Sequence, residues 1–140
     1  PAILERLLAE NLIPVLSTIG VDPDGQAYNI NADSVAGAVA AALGSEKVIY
    51  LTDVPGLLAD VDDPATLVTR ISAPELRAMI SDGTLTGGMI PKINACLDAL
   101  DRGVGSAHLL DGRVPHVVLL ELFTDAGIGT MITRAIGASA

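Results

Sequence analysis

Tyr28-Asn-Ile-Asn-Ala-Asp33 runs into the alanine-rich segment 34–43, and the other elements of the chain are arranged around this stretch. In an extended chain its three polar side chains, Asn29, Asn31 and Asp33, would point to one face, because side chains alternate along a strand. Segment 34–43 favours a helix. A carboxylate at a strand-to-helix junction lies where α/β folds bind ligands. In the alternative interpretation, Asn31 or Asp33 simply caps the helix.

Length and composition predict one domain with an aliphatic core. A chain of 140 residues suits a single domain and can bury about 68–70% of its unfolded surface. Half of the residues are hydrophobic, but only Tyr28, Tyr50 and Phe123 are aromatic. We therefore expect isoleucine, leucine, valine and alanine to fill the core.

Charge and patterning exclude several classes of partner. The net charge of −9 argues against nucleic acid and anionic membrane as partners. Apolar runs stay well below the about 18 residues of a membrane span, and the amphipathic start 1–8 does not resemble a secretion signal. The single cysteine, Cys96, cannot form an internal disulfide, which is consistent with a reducing compartment. We expect a cytoplasmic protein.

Periodicity predicts alternating helices and strands along the rest of the chain. An acidic, irregular segment is expected over 60–69, and a capping box opens a helix at Ser72-Ala-Pro-Glu75. The other expected elements are an amphipathic helix from residue 3, a buried strand over 13–19, a strand over 47–52, a helix with the apolar stripe Met89, Ile93, Cys96, Leu97 and Leu100, a strand over 106–110, a helical segment over 114–123 and a last strand over 131–133. This succession implies right-handed crossovers and a mostly parallel sheet between helices, a three-layer α/β/α fold.

Chemical groups are expected to meet at the carboxyl edge of that sheet. The strand over 47–52 ends in Thr52-Asp53 and a Pro-Gly loop, which could also be a plain turn. Lys92 lies in the first turn of a helix after two glycines, where the helix dipole disfavours a cation by a few tenths of a kcal/mol. It therefore indicates an anionic ligand. A cation, helix N–H groups and Asp33 together suit phosphoryl transfer, as one hypothesis among several.

Metal binding is not predicted from the histidines. His108 and His116 have no second ligand at metal spacing, and structural roles are expected for both. Cys96 is likewise expected to be a core residue.

Four ordered motifs resemble those of the acetylglutamate kinases, in the amino acid kinase superfamily. They are Asn29–Asp33, Leu51–Leu57, Gly88–Ala95 and Glu121–Met131. The resemblance implies ATP-dependent phosphorylation of the γ-carboxylate of N-acetyl-L-glutamate, the second step of arginine biosynthesis, with Mg²⁺ accompanying the nucleotide.

The resemblance also implies roles for individual residues. Asn29 and Asn31 correspond to substrate-binding positions, Asp33 to the residue that organises active-site lysines, and Lys92 to the lysine that stabilises the transferring phosphoryl group. The implied nucleotide contacts are Thr52, Asp53, Val54, Pro55, Gly56, Leu57, Leu58, Thr84, Leu85 and Thr86.

The carboxy-terminal motif resembles that of kinases inhibited by arginine. It makes Glu121, Gly127 and Gly129 candidates for an effector site. Arginine is then the expected feedback inhibitor, a PII-type nitrogen regulator a further expected partner, and self-association is expected of the full-length protein.

Family members are roughly twice as long as this chain. The resemblance implies that residues 1–140 form the carboxy-terminal, ATP-binding portion. The other portion would carry a glycine-rich phosphate loop, a second lysine, a substrate arginine and the main dimer contacts, so we expect negligible activity from this chain alone. The alternatives are a kinase of an aminoadipate derivative in lysine biosynthesis, a non-catalytic nucleotide or arginine sensor, and a fragment that does not fold stably.

Overall fold

The computed structural model describes residues 1–85, 87–124 and 127–135, and these contain both α-helices and β-strands. The α-helices are α1 (Ala2–Ala9), α2 (Ala32–Ala42), α3 (Ala73–Ser81), α4 (Ile90–Asp101) and α5 (Val117–Phe123). The strands are β1 (Ile19–Val21), β2 (Ala27–Asn29), β3 (Lys47–Thr52), β4 (Arg70–Ser72), β5 (Ser106–Asp111) and β6 (Thr130–Thr133). Short 3₁₀ turns lie at Pro64–Thr66 and Gly87–Met89.

The main sheet has the strand order β3-β5-β6-β4. Strands β3 and β5 pair in parallel, as do β4 and β6, whereas β5 and β6 are antiparallel. Helices α2, α3 and α4 pack on the sheet and on one another, and α5 packs on β5. The expected α/β fold, with a mostly parallel sheet between helices, is confirmed.

Strand β5 is the most buried strand of the described part of the chain. Residues 106–110 are all buried, as expected for a strand that is covered on both faces. Ala107 and Leu109 belong to the core under α4, whereas His108 contacts α5 through Glu121. The core is aliphatic as predicted, and its most buried side chains include Leu76, Ile93, Leu100, Leu109 and Ile132.

Local signals at the helix ends agree with the sequence. Asn31 is the N-cap of α2, with its side-chain oxygen accepting from the Ser34 N–H. At α3, Ser72 and Glu75 form the complete capping box. Gly44 follows α2 with a φ of +61°, a conformation that glycine adopts without strain.

The predicted strand over 13–19 is wrong. Residues 12–17 have no regular structure, and Ile13 and Val15 are exposed. This apolar run has no neighbouring strand among the described residues, so its backbone cannot form the hydrogen bonds of a sheet. Only Ile19–Val21 becomes a strand, in an antiparallel hairpin with β2.

The expected extended face over Asn29, Asn31 and Asp33 is also wrong. Strand β2 ends at Asn29, and α2 already begins at Ala32. The capping interpretation of Asn31 is the correct one, because a cap satisfies a helical N–H that an extended chain would not present. Strand β4 was missed, since three residues within an irregular region carry no periodic signal.

Candidate active site

Asp33 and Lys92 form a partly buried ion pair at the carboxyl edge of the sheet. The Lys92 Nζ lies 3.2 Å from the Asp33 Oδ2. Helix α2 precedes β3 and α4 precedes β5, so both helices begin at the edge where those parallel strands end. The pair contributes little to stability. Its consequence is geometric, because the carboxylate holds the ammonium in one place.

Close packing of α2 on α4 brings these two side chains within reach. A Cβ on Gly37 would lie 3.1 Å from the Tyr50 Oη and 3.5 Å from the Ala99 Cβ, so a larger residue would separate the helices. The Tyr50 hydroxyl lies 3.4 Å from the carbonyl oxygens of both Asp33 and Ala95, and it can donate to either. Burial raises the pKa of Tyr50 above its ordinary value, so the hydroxyl stays protonated as a donor.

An apolar cavity of about 340 Å³ opens beside the loop after β3. Its described lining residues are Val54, Pro55, Gly56, Leu57, Leu58, Val61, Pro64, Leu85, Met89 and Arg113. Five of the residues predicted to contact nucleotide in 53–58, together with Leu85, therefore share one cavity. Met89 immediately precedes α4, which places the cavity near the helix start that carries Lys92.

Two buried threonine hydroxyls hold the loop that forms this cavity. The Thr130 Oγ1 accepts from the Leu57 N–H at 2.8 Å and donates to the Val68 carbonyl at 2.7 Å. The Thr52 Oγ1 accepts from the Val54 N–H and donates to the Val54 carbonyl. A Cβ on Gly56 would lie 2.7 Å from the Thr130 Oγ1. Thr52 was predicted to contact nucleotide, and in the structure its hydroxyl holds the backbone of this loop.

Asp53, Thr84 and Asn29 were also predicted as site residues, but they do not line the cavity. Asp53 is exposed at the end of β3, and Thr84 is exposed in a turn where its N–H donates to the Asp82 carboxylate. Thr86 lies outside the described residues. Asn29 is exposed at the end of β2.

Asp111 and Arg113 form a bidentate ion pair at the end of β5. The Arg113 Nε and Nη2 donate to the two Asp111 oxygens, each at 2.8 Å. The Arg113 side chain, followed by its backbone N–H, lowers the pKa of Asp111 to about 2. Sequence reasoning missed Arg113. The available signal was an arginine in a turn at the same strand edge as Asp53.

The effector candidates are brought together on the α5 side of the sheet. The buried Glu121 carboxylate accepts from the Ile128 N–H at 3.3 Å and lies 2.8 Å from the His108 Nδ1. Gly127 has a φ of +53°, and a Cβ on Gly129 would overlap the Leu109 carbonyl. His108 is buried, with its Nε2 3.0 Å from the Ser106 Oγ, consistent with the expected structural role.

The described ranges lack both a metal cluster and a membrane-spanning helix. Residues 1–85, 87–124 and 127–135 contain no group of three or more histidine, cysteine or acidic side chains arranged to hold a metal ion. In the same ranges, no helix has the length and apolarity needed to cross a bilayer.

Comparison with known proteins decides the family. A family model described as the amino acid kinase family matches residues 1–111. The chain belongs to the amino acid kinase family. Among its relatives, the acetylglutamate kinase of Moorella thermoacetica is 52% identical over 132 residues, which cover 94% of this chain and 45% of the relative. The acetylglutamate kinase of Nostoc sp. is 55% identical over 130 residues, which cover 93% of this chain and 44% of that relative. This family member thus spans less than half the length of those relatives.

Solved structures agree with an amino acid kinase fold. A crystal structure of N-acetylglutamate synthase from Neisseria gonorrhoeae, complexed with coenzyme A and L-arginine, is 30% identical with a TM-score of 0.85, covering 96% of this chain and 30% of that one. A carbamate kinase from Giardia lamblia bound to AMP-PNP has a TM-score of 0.72 at 20% identity. The match covers 96% of this chain and 49% of the carbamate kinase. The second likeness concerns the fold alone.

We expect Cys96 of this amino acid kinase chain to resist thiol reagents while the chain is folded. Burial, followed by the charge of Asp33, raises the pKa of Cys96 to about 12, against a smaller opposing effect of Lys92. The thiolate is the reactive form, and almost none of it is present in the folded chain at about pH 8. Ellman's reagent should release one equivalent in urea and almost none without it. Full labelling of the folded chain within minutes would contradict this expectation.

Proposed function

We propose that this chain is the nucleotide-binding portion of an acetylglutamate kinase, which transfers a phosphoryl group from ATP to the γ-carboxylate of N-acetyl-L-glutamate. The observation that carries the proposal is the Asp33–Lys92 ion pair at the sheet edge that also holds the apolar cavity. Relatives that are 52% and 55% identical to this chain are named acetylglutamate kinases. The biosynthetic role, together with the single cysteine, supports a cytoplasmic location.

The chemistry asked of these residues is mainly electrostatic. The cavity offers an apolar surface for the nucleotide base, and the start of α4 offers N–H groups and Lys92 to the phosphates. Phosphoryl transfer needs charge stabilisation and alignment more than covalent help. Lys92 would stabilise the charge of the transferring group, and Asp33 would hold the lysine there. Mg²⁺ would enter with the nucleotide and neutralise part of its phosphate charge.

The substrate and effector assignments belong to the same proposal. Asn29, at the end of β2, would contact N-acetyl-L-glutamate, whereas the Asn31 side chain is engaged in capping α2. Glu121 and the nearby glycines 127 and 129 would bind arginine, a ligand that is bound in the crystal structure of the similar Neisseria synthase. Self-association and a PII-type regulator would concern the longer protein.

We also propose that further polypeptide packs on the amino-terminal part of this chain. Residues 1–31 contribute nothing to the buried core, and the relatives are more than twice as long as the segment they share with this chain. The exposed apolar residues there are Ile3, Leu8, Leu12, Ile13, Val15, Leu16, Ile19, Val21, Tyr28 and Ile30. We infer that this exposed apolar surface packs against a second portion of the polypeptide, which would complete the substrate site.

Titration calorimetry of the 140-residue chain with MgATP tests the proposed nucleotide site. We expect saturable binding that is weakened about tenfold, or about 1.4 kcal/mol, by Val61→Asp, which places a carboxylate on the cavity wall. Val15→Asp is the matched control, because Val61 and Val15 are 84% and 94% exposed and only Val61 lines the cavity. Absence of binding by a folded chain, or equal effects of the two variants, would contradict the proposal.

A completed chain tests whether this portion supports phosphoryl transfer to N-acetyl-L-glutamate. We define it as this chain joined to the amino-terminal portion of the Moorella relative, which supplies the residues that the shared segment lacks. Phosphorylation of N-acetyl-L-glutamate by the completed chain would support the proposed activity of this portion. A folded completed chain that does not phosphorylate N-acetyl-L-glutamate would contradict it.

A further inference from the structure

Arg113 stands apart from the other residues around the apolar cavity. It is the only basic residue among the described residues that line the cavity. It follows β5 by two positions, so it lies at the same carboxyl edge as Asp53 at the end of the adjacent parallel strand β3. The mechanism derived from Lys92 and Asp33 gives this guanidinium no role.

The guanidinium is held in place but still has donors to offer. Asp111 accepts from Nε and from Nη2 of Arg113, while a guanidinium carries five N–H groups. The Asp111 side chain is only 13% exposed, whereas that of Arg113 is 65% exposed. The anchoring carboxylate therefore faces inward, and the remaining donors are open to a ligand in the cavity.

A fixed guanidinium suits a phosphate better than a free one. Its planar donor fork matches phosphate geometry, and such charge-assisted hydrogen bonds are stronger than neutral ones. Asp111 already restrains the side chain, which lowers the entropy lost on binding. Because Asp111 also neutralises much of the positive charge, we expect a directional hydrogen-bonding contact of moderate strength.

We propose that Arg113 binds the phosphate chain of the nucleotide in this cavity and so selects phosphorylated nucleotides over the bare nucleoside. The inference rests on the proposed nucleotide site and adds to it a specificity-determining residue. The base would lie against the apolar wall formed by the 54–58 loop, Leu85 and Met89. Arg113 would then contact the phosphates where they leave the cavity toward the start of α4.

Calorimetric titration with ATP and with adenosine tests this role. In Arg113→Gln we expect the ratio of ATP to adenosine affinity to fall about tenfold, with adenosine affinity within twofold of the unaltered chain. Arg77→Gln is the matched control, since Arg77 forms an ion pair of 2.6 Å with Asp101 away from this cavity. We expect it to leave the ratio unchanged.

A double variant separates a lost contact from a released charge. Arg113→Gln frees the Asp111 carboxylate, which could itself repel phosphates, and Asp111→Asn removes that charge. The proposal requires the lowered ratio to persist in Arg113→Gln/Asp111→Asn, and recovery of the ratio would overturn it. If Arg113→Gln lowers the affinities for ATP and for adenosine equally, the proposed role of Arg113 is overturned, whereas the proposed nucleotide site is not. An unaltered chain that binds neither ligand would overturn both.

Discussion

Replacing Lys92 by methionine is expected to lower the turnover number of the completed chain by about 10²–10³-fold, or roughly 3–4 kcal/mol of transition-state stabilisation. Methionine keeps the length and apolar stem of the side chain but removes its charge. The ammonium lies next to Asp33 at the start of α4, where the transferring phosphoryl group would develop negative charge. The measurement is kcat with saturating MgATP and N-acetyl-L-glutamate, alongside KM for each.

Lys47→Met is the matched control for this substitution. Lys47 is exposed at the start of β3, at the opposite edge of the sheet from Lys92, and these are the only two lysines in the sequence. We expect Lys47→Met to leave kcat within twofold. Retention of more than a tenth of the activity in a folded Lys92→Met variant would remove Lys92 from the phosphoryl-transfer step.

Replacing Thr130 by valine is expected to lower the free energy of unfolding by about 2–4 kcal/mol. The two side chains have nearly the same shape, but valine can neither donate nor accept. The Leu57 N–H and the Val68 carbonyl would each lose a partner, and an unsatisfied buried group costs about 1–3 kcal/mol. Urea unfolding of the 140-residue chain measures the change.

Thr133→Val provides the control on the same strand. The Thr133 hydroxyl makes an exposed contact of 3.4 Å with the Ala135 carbonyl, so we expect a change within about 0.5 kcal/mol. Equal stabilities of Thr130→Val and the unaltered chain would show that the loop after β3 is held without this hydroxyl. The expected loss would instead connect the stability of β6 to the shape of the cavity.

The sequence predicted those features that depend on neighbouring residues. The capping box Ser72–Glu75, the strand 47–52 and the position of Lys92 in a first helical turn all follow from short-range patterns, and all are confirmed. The ion pair with Asp33 joins residues 59 positions apart. Topology predicted only that its two residues lie at one edge, because helices that precede parallel strands begin at the same edge.

Features that depend on distant partners were not predictable in this way. Residues 13–19 have the hydrophobicity of a strand, but strand formation requires a neighbour that composition does not reveal. The role of Tyr50 between α2 and α4 depends on Gly37, which lets the helix backbone approach the hydroxyl. The position of Arg113 beside the cavity depends on the pairing of β5 with β3, which are distant in the sequence.

The position of β6 within the sheet has a consequence for biosynthesis. Strand β6 is the last of the described strands, yet it lies between β5 and β4. Until β6 has been synthesised, β4 has no partner in this sheet, and β5, once it has been made, can pair only with β3. The Thr130 hydroxyl that anchors the 54–58 loop also arrives last. The nucleotide cavity therefore takes its final shape only after translation has passed β6, and until then the exposed edge of β5 is open to chaperones.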